Sequence, residues 1–186
     1  MFENDLTIYG KHAKFLKFLA KKNARDDGLE TSSSAKIFER YIDVYMNAVV
    51  FGLIYSRRAK RDSESDDRSN TAHILANAFI RERENCIFLY QIVMLLDKTS
   101  NLSLEEKINR AFRIDSTSTN NEEFQKNMEL FHDYMRGGIE IMYEKFTDGC
   151  RTPEEYLERT FEIITNFQDE INGISYSDRI KELLNT

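Results

Sequence analysis

The stretch Val44–Tyr55, VYMNAVVFGLIY, is the longest nearly apolar run in the chain, and Asn47 is the residue that interrupts it. A helix of this composition is apolar on nearly every side, which is typical of a helix surrounded by other elements. The threonine and serines at 31–34 offer N-caps before the run. We therefore predict a central helix from about Ala35 to Arg58, around which the rest of the protein packs.

Capping signals and apolar spacing predict further helices on both sides of the central helix. Ser103 and Glu106 have the spacing of a capping box, and Thr152 followed by Pro153 and Glu155 marks another helix start. Elsewhere, apolar residues recur three and four positions apart, as on one face of a helix. These signals predict helices at 9–24, 72–96, 103–113, 122–146 and 152–171, and a final turn at 177–184.

Few residues in the chain break helices. The sequence has one proline and 7 glycines among 186 residues, and it shows no alternating strand pattern. The adjacent Gly137 and Gly138 either kink their helix or allow a neighbouring backbone to approach closely. Since the length suits one ordinary domain, we predict a single helical domain over residues 1–186. Its fold class is all-α, an irregular bundle of five main helices with one or two short additional helices.

Composition excludes several classes of protein. Hydrophobic residues make up 41% and aromatic residues 12%, which is enough apolar surface to exclude a disordered chain. Apolar runs of at most 12 residues are shorter than the ~20 needed to span a bilayer. The acidic start, MFEND, is unlike a secretory signal, and the two cysteines form no metal-binding spacing. We expect a cytoplasmic protein with no membrane partner.

The sequence contains none of the common nucleotide-binding, metalloprotease, thiol-redox or hydrolase motifs. Glu129 and His132 form one Glu-x-x-His pair, whereas di-iron bundles use two such pairs on different helices. Phe131, rather than His132, falls on the apolar stripe of the helix. We therefore expect a solvated or interfacial histidine, with no catalytic residue, metal or cofactor.

A basic cluster follows the central apolar run and consists of Arg57, Arg58, Lys60 and Arg61. Cations at a helix C-terminus are stabilised by the helix dipole, so our preferred interpretation is a helix cap. The alternative is a patch that contacts the phosphates of a nucleic acid without reading its sequence. The net charge of -6 and the acidic residues that follow the cluster favour the cap.

A mixed polar run precedes the apolar half of the helix predicted at 72–96. Arg81 and Glu84 are three residues apart, so the simple interpretation is an intrahelical ion pair. If they lie opposite Asp43 and Asn47 of the central helix, the four residues form a core polar network or line a pocket. Tyr45 is predicted to be a core aromatic residue.

These features give three hypotheses for function. The first is a non-enzymatic protein that acts through protein–protein interaction, either as a homodimer or as a small subunit of a larger bacterial-type assembly. It rests on the missing motifs and on the Met and aromatic content, since such residues also serve interfaces. The alternative is an accessory nucleic-acid-binding protein, for example of a DNA- or RNA-processing or defence system, that uses basic helix-end patches. The third is an enzyme with a polar pocket between the long helices.

Overall fold

The computed structural model describes residues 1–20, 37–62, 70–113 and 122–173, which form two strands and seven helices. In chain order they are β1 (Leu6–Tyr9), α1 (Gly10–Leu19), α2 (Tyr41–Ile54), β2 (Thr71–Ile74), α3 (Ala76–Arg81), α4 (Arg83–Leu96), α5 (Leu104–Phe112), α6 (Glu122–Thr147) and α7 (Pro153–Gly173). The predicted caps at 31–34 and final turn at 177–184 lie outside the described residues. None of the described helices has both the length and the apolar character needed to cross a bilayer.

The predominance of helices confirms the all-α prediction. Both capping boxes begin helices where the sequence places them. The Ser103 hydroxyl accepts the Glu106 N–H at 3.3 Å, and the Thr152 hydroxyl accepts the Glu155 N–H at 3.3 Å. The helix predicted at 122–146 is α6, an unbroken helix over Glu122–Thr147.

A small two-stranded antiparallel sheet is present in segments where the sequence shows no alternating strand pattern. β1 and β2 pair with Leu6 opposite Ile74 and Tyr9 opposite Thr71, and Ile8 and Ile74 point into the core. Each strand has only four residues, which is too short for alternation to be distinguished from a helical pattern. Because each strand is stabilised by a partner distant in sequence, its own residues give little sign of it.

The helix predicted to begin at Ala72 begins instead at Ala76 and is interrupted at Glu82. The Ala76 N–H donates to the Asp5 carboxylate at 2.6 Å, so a distant residue caps α3. At the break between α3 and α4, Glu82 accepts a hydrogen bond from Arg40 at 2.9 Å. Both contacts are tertiary, which explains why local spacing predicts one continuous helix.

The core lies between α2 and α6. α2 starts later and ends earlier than predicted, but its buried residues confirm that it is the central helix, and Tyr45 is fully buried. Gly138 of α6 faces the carbonyl oxygen of Ala48, and Gly52 of α2 faces that of Tyr134, with no room for a Cβ atom at either glycine. The pair Gly137–Gly138 therefore permits close approach of neighbouring backbones, and α6 continues through it.

Candidate functional site

The predicted basic cluster lies beyond the last residue of α2 and is not part of that helix. α2 stops at Ile54, and the chain reverses at Ser56, which has a φ of 50°. The Arg57 N–H donates to the Gly52 carbonyl at 2.8 Å, and the Ser56 N–H donates to the Leu53 carbonyl at 3.1 Å, as in a Schellman motif. This turn corrects the helix-cap interpretation, because residues 57–61 leave the axis of α2 and run along α6.

The surface that receives this segment is a buried polar face of α6, formed by Asp133, Arg136 and Glu140. The three residues are spaced by three and four positions and therefore lie on one side of the helix. Their exposed fractions are 2%, 8% and 7%. Charged side chains this deeply buried require partners, because an unpaired buried charge is strongly destabilising. We call these three residues the ionic face of α6.

The ionic face is hydrogen-bonded to the backbone of residues 57–61, which we call the basic segment because it carries the basic cluster. The Ala59 N–H donates to the backbone carbonyl of Asp133, and Arg136 Nε donates to the Ala59 carbonyl, both at 2.9 Å. Arg136 also donates to the Asp133 and Glu129 carboxylates at 2.6 Å. Lys60 Nζ lies 2.6 Å from the same Asp133 carboxylate. The segment is therefore bonded to α6 through both main chain and side chains.

Glu140 joins the basic segment to α1. Its carboxylate accepts Lys11 Nζ at 2.8 Å, His12 Nε2 at 3.1 Å and Arg57 Nη2 at 3.1 Å. Burial alone would raise the pKa of Glu140, but its hydrogen bonds and the Lys11 charge lower it below its usual value. Burial also lowers the pKa of His12, although its bond to Glu140 opposes the shift. The carboxylate is thus stabilised as an anion by three donors from two separate segments.

The remaining cations of the cluster are also engaged. Arg58 donates to the Thr99 hydroxyl at 2.9 Å, and its guanidinium carbon lies 5.9 Å from the Tyr134 ring centroid. Arg61 lies 4.4 Å from the ring centroid of Tyr9, which is a cation–π contact. All four predicted phosphate contacts therefore have protein partners in the structure. The geometry explains the cluster as an attachment to the fold, and phosphate contact stays a prediction.

The four residues predicted for a polar pocket are placed in two groups. Asp43 pairs with Arg40, and the Asn47 amide donates to the Asp43 backbone carbonyl at 2.9 Å. Arg81 and Glu84 are exposed on α3 and α4. The residue of this region that contacts the Arg40–Asp43 pair is Glu82, whose carboxylate forms an ion pair with Arg40.

The Glu-x-x-His pair serves two different contacts. Glu129 accepts Arg136, and His132 Nε2 lies 3.3 Å from the Tyr45 hydroxyl. Burial is the main reason that the pKa of His132 falls to about 4, and the charge on Arg136 lowers it further. Within the described ranges, no group of three or more His, Cys, Asp or Glu side chains is arranged to hold a metal ion.

The outer face of α7 carries three apolar side chains, Leu157, Phe161 and Ile164, with exposed fractions of 72%, 72% and 56%. They are spaced by four and three residues, so they form one stripe. The inner face packs on the bundle, where the rings of Tyr156 and Phe18 meet edge to face at 5.6 Å. We call the three outer residues the apolar stripe of α7.

The ionic face of α6 is not predicted by the sequence. Asp133, Arg136 and Glu140 alternate with apolar residues at helical spacing, and that signal alone predicts a solvated side of the helix. Their burial depends on the basic segment that covers them.

No family model, curated protein or solved structure matches this chain.

Proposed function

We propose that this protein acts by binding another protein chain, as a subunit of a larger assembly, and that the apolar stripe of α7 is the contact surface. The observation that carries the proposal is the exposure of three large apolar side chains in one row. Contiguous exposed apolar surface is typical of protein-interaction sites. A second exposed row on α5 supports the same role and consists of Leu104, Ile108 and Phe112.

The charges beside the stripe indicate the chemistry of the partner. Glu154, Glu158 and Glu162 are each four residues apart and form an exposed row next to the stripe. A two-fold dimer through this face would bring two glutamate rows together, and like charges across an interface are costly. We therefore favour a partner with an apolar helix face bordered by Lys or Arg over a second copy of the chain.

A matched pair of helical peptides tests this surface. Both peptides carry one row of leucines, which is flanked by lysines in the first and by glutamates in the second. We expect the lysine peptide to bind, and the Leu157→Ser/Phe161→Ser variant to lose that binding. The control variant, Ile80→Ser/Phe88→Ser, changes exposed apolar residues on α3 and α4 and should bind normally.

Two results would contradict the proposal. If the lysine peptide does not bind, or if the double serine variant binds it as well as the wild type does, α7 is not the contact surface. A wild-type mass of twice 21.9 kDa by light scattering, returning to 21.9 kDa in the serine variant, would show that the partner is a second copy.

A cytoplasmic location is part of this proposal. Cys86 is buried and Cys150 is partly exposed, and neither forms a disulfide. Two free thiols fit a reducing compartment.

A further inference from the structure

A cavity of about 540 Å³ opens beside the core, between residues 1–6, α2, α3, the start of α4 and α6. Its volume lies within the range of small-molecule sites, which is roughly 300–1,000 Å³. Four of the seven apolar lining residues are aromatic, and the seven are Phe2, Tyr45, Phe79 and Phe124 together with Met1, Leu6 and Met128. The cavity lies away from α7, so an inference from it is independent of the proposed protein contact.

The inner part of the cavity carries no positive charge at neutral pH. Tyr45 is fully buried and Phe79 is 2% exposed, so both rings lie at the inner end. The polar atoms there are the Tyr45 hydroxyl and His132 Nε2, 3.3 Å apart. Because burial lowers the pKa of His132 to about 4, the imidazole is neutral at pH 7. The inner end therefore favours an apolar group, with one neutral polar pair beside it.

The N-terminal wall of the cavity is held in an unusual conformation. Phe2 has a φ of 59°, a region that residues with a side chain rarely adopt. Its ring is buried, with centroids 6.0 Å from Phe79 and 5.8 Å from Phe131. Packing against these two rings fixes the wall, and strained backbone of this kind is concentrated at binding sites.

The outer rim of the cavity is acidic. Glu3, Asp5 and Glu129 line it together with two cationic groups, the Arg83 guanidinium and the N-terminal ammonium of Met1. Arg83 pairs with Glu3 at 3.2 Å. The Asp5 carboxylate instead accepts the backbone N–H of Ala76, which is a neutral donor. Glu129 pairs with Arg136, but Arg136 is shared with the buried Asp133. The lining carries three carboxylates against two cationic groups, so its net charge is still negative and a cation is favoured at the rim.

We propose that this cavity binds an organic ammonium ion, whose apolar part packs among the aromatic rings and whose nitrogen lies at the acidic rim. Aromatic rings and carboxylates both stabilise an ammonium ion, the rings through their negative faces. A carboxylate ligand of the same shape meets the same rings but is repelled at the rim. We therefore expect the cavity to bind a cationic ligand more tightly than an anionic ligand of the same shape.

Three indole compounds of nearly equal size separate charge from shape: tryptamine is a cation, tryptophol is neutral and indole-3-acetate is an anion. Since the chain has no tryptophan, indole fluorescence reports the ligand alone. We expect tryptamine to bind at least about tenfold more tightly than indole-3-acetate, with tryptophol between them and with a smaller difference at high salt.

Two variants locate the binding. Glu3→Gln/Glu129→Gln changes side chains that are more than half exposed, so the fold should persist, and it should weaken tryptamine binding about fivefold. Glu144→Gln/Glu158→Gln changes exposed acids outside the cavity lining and should leave binding unchanged. The proposal is wrong if tryptamine does not bind, if all three compounds bind equally, or if both double variants weaken tryptamine to the same extent.

Discussion

Gly138 of α6 lies directly against the carbonyl oxygen of Ala48 in α2, and a Cβ atom at Gly138 would overlap that oxygen. A Cβ at the adjacent Gly137 would overlap the carbonyl oxygen of Arg57. The two glycines therefore set the distance of α6 from α2 and from the basic segment. This distance allows the ionic face of α6 to reach the backbone at Ala59.

Gly138→Ala should destabilise the protein. Alanine favours a helix over glycine by about 1 kcal/mol, but its Cβ would collide with backbone, which cannot rotate away. We expect a net loss of about 1–3 kcal/mol in the free energy of unfolding, measured in urea. Asn166→Ala, at an exposed position of α7, should cause no such loss. Wild-type stability in Gly138→Ala would contradict the close crossing.

Ser56→Gly should stabilise the turn after α2. Ser56 has a φ of 50°, where a Cβ atom costs roughly 1–2 kcal/mol. Glycine removes this strain but has more freedom in the unfolded chain, so we expect a net gain of about 0.5–1 kcal/mol. Ser56→Ala keeps the Cβ and serves as the control, and it should give no gain. Equal melting temperatures for the glycine and alanine variants would show that this turn is not strained.

Arg136→Met should destabilise the protein much more than Lys60→Ala, although both residues pair with Asp133. The Arg136 side chain is 9% exposed and holds Asp133, Glu129 and the Ala59 carbonyl, so its loss leaves buried groups unpaired. We expect a cost of about 3–5 kcal/mol. The Lys60 side chain is 81% exposed, and its loss should cost under about 1 kcal/mol. Equal costs in urea denaturation would contradict this assignment.

Stability should fall as the pH drops from about 6.5 towards 4. In the folded protein the pKa of His132 is about 4, whereas an unfolded histidine titrates near 6.5. Between these values the unfolded chain binds a proton that the folded protein does not, so the free energy of unfolding rises with pH through this interval. The contribution of His132 to the free energy of unfolding is fully present above about pH 6.5. The lowered pKa of His12 acts in the same direction.

His132→Gln tests the origin of this dependence, because glutamine keeps a hydrogen-bonding group for Tyr45. Urea denaturation at several pH values between 7 and 5 should show a flatter dependence in this variant. His73→Gln changes an exposed histidine on β2 and should keep the wild-type slope. If the two variants have the same slope, His132 is not the source.

Nucleic-acid binding should be weak, because each cation of the basic cluster has a protein partner. At 150 mM salt we expect a dissociation constant for duplex DNA no tighter than about 1 µM, and the Lys60→Ala/Arg61→Ala variant should leave it unchanged. A tighter constant in the wild type, together with a salt dependence reduced by about two units in the variant, would instead support phosphate contact.

Several features were predictable from the sequence, because they depend on neighbouring residues alone. The capping boxes at Ser103 and Thr152 lie within one turn of helix, and the apolar run Val44–Tyr55 requires burial whatever its partners are. That none of the described helices is long and apolar enough to cross a bilayer follows from the same short-range counting. The helical pattern repeats every few residues, so it is encoded locally and can be recognised without knowledge of the fold.

The sheet, the break at Glu82 and the ionic face of α6 were decided by the tertiary structure. Each depends on residues far apart in the chain, such as Asp5 with Ala76 or Lys60 with Asp133. Positive charge directly after an apolar run fits the helix dipole, so the sequence predicts a helix end at the basic cluster. Only the turn at Ser56 and the backbone approach at Gly137 bring that cluster onto α6. The sequence by itself determined where most of the helical segments lie, since helical spacing and capping are local, but it did not determine all of their ends. Which charges meet, and whether they are buried, depends on how the helices cross, and packing alone fixes that.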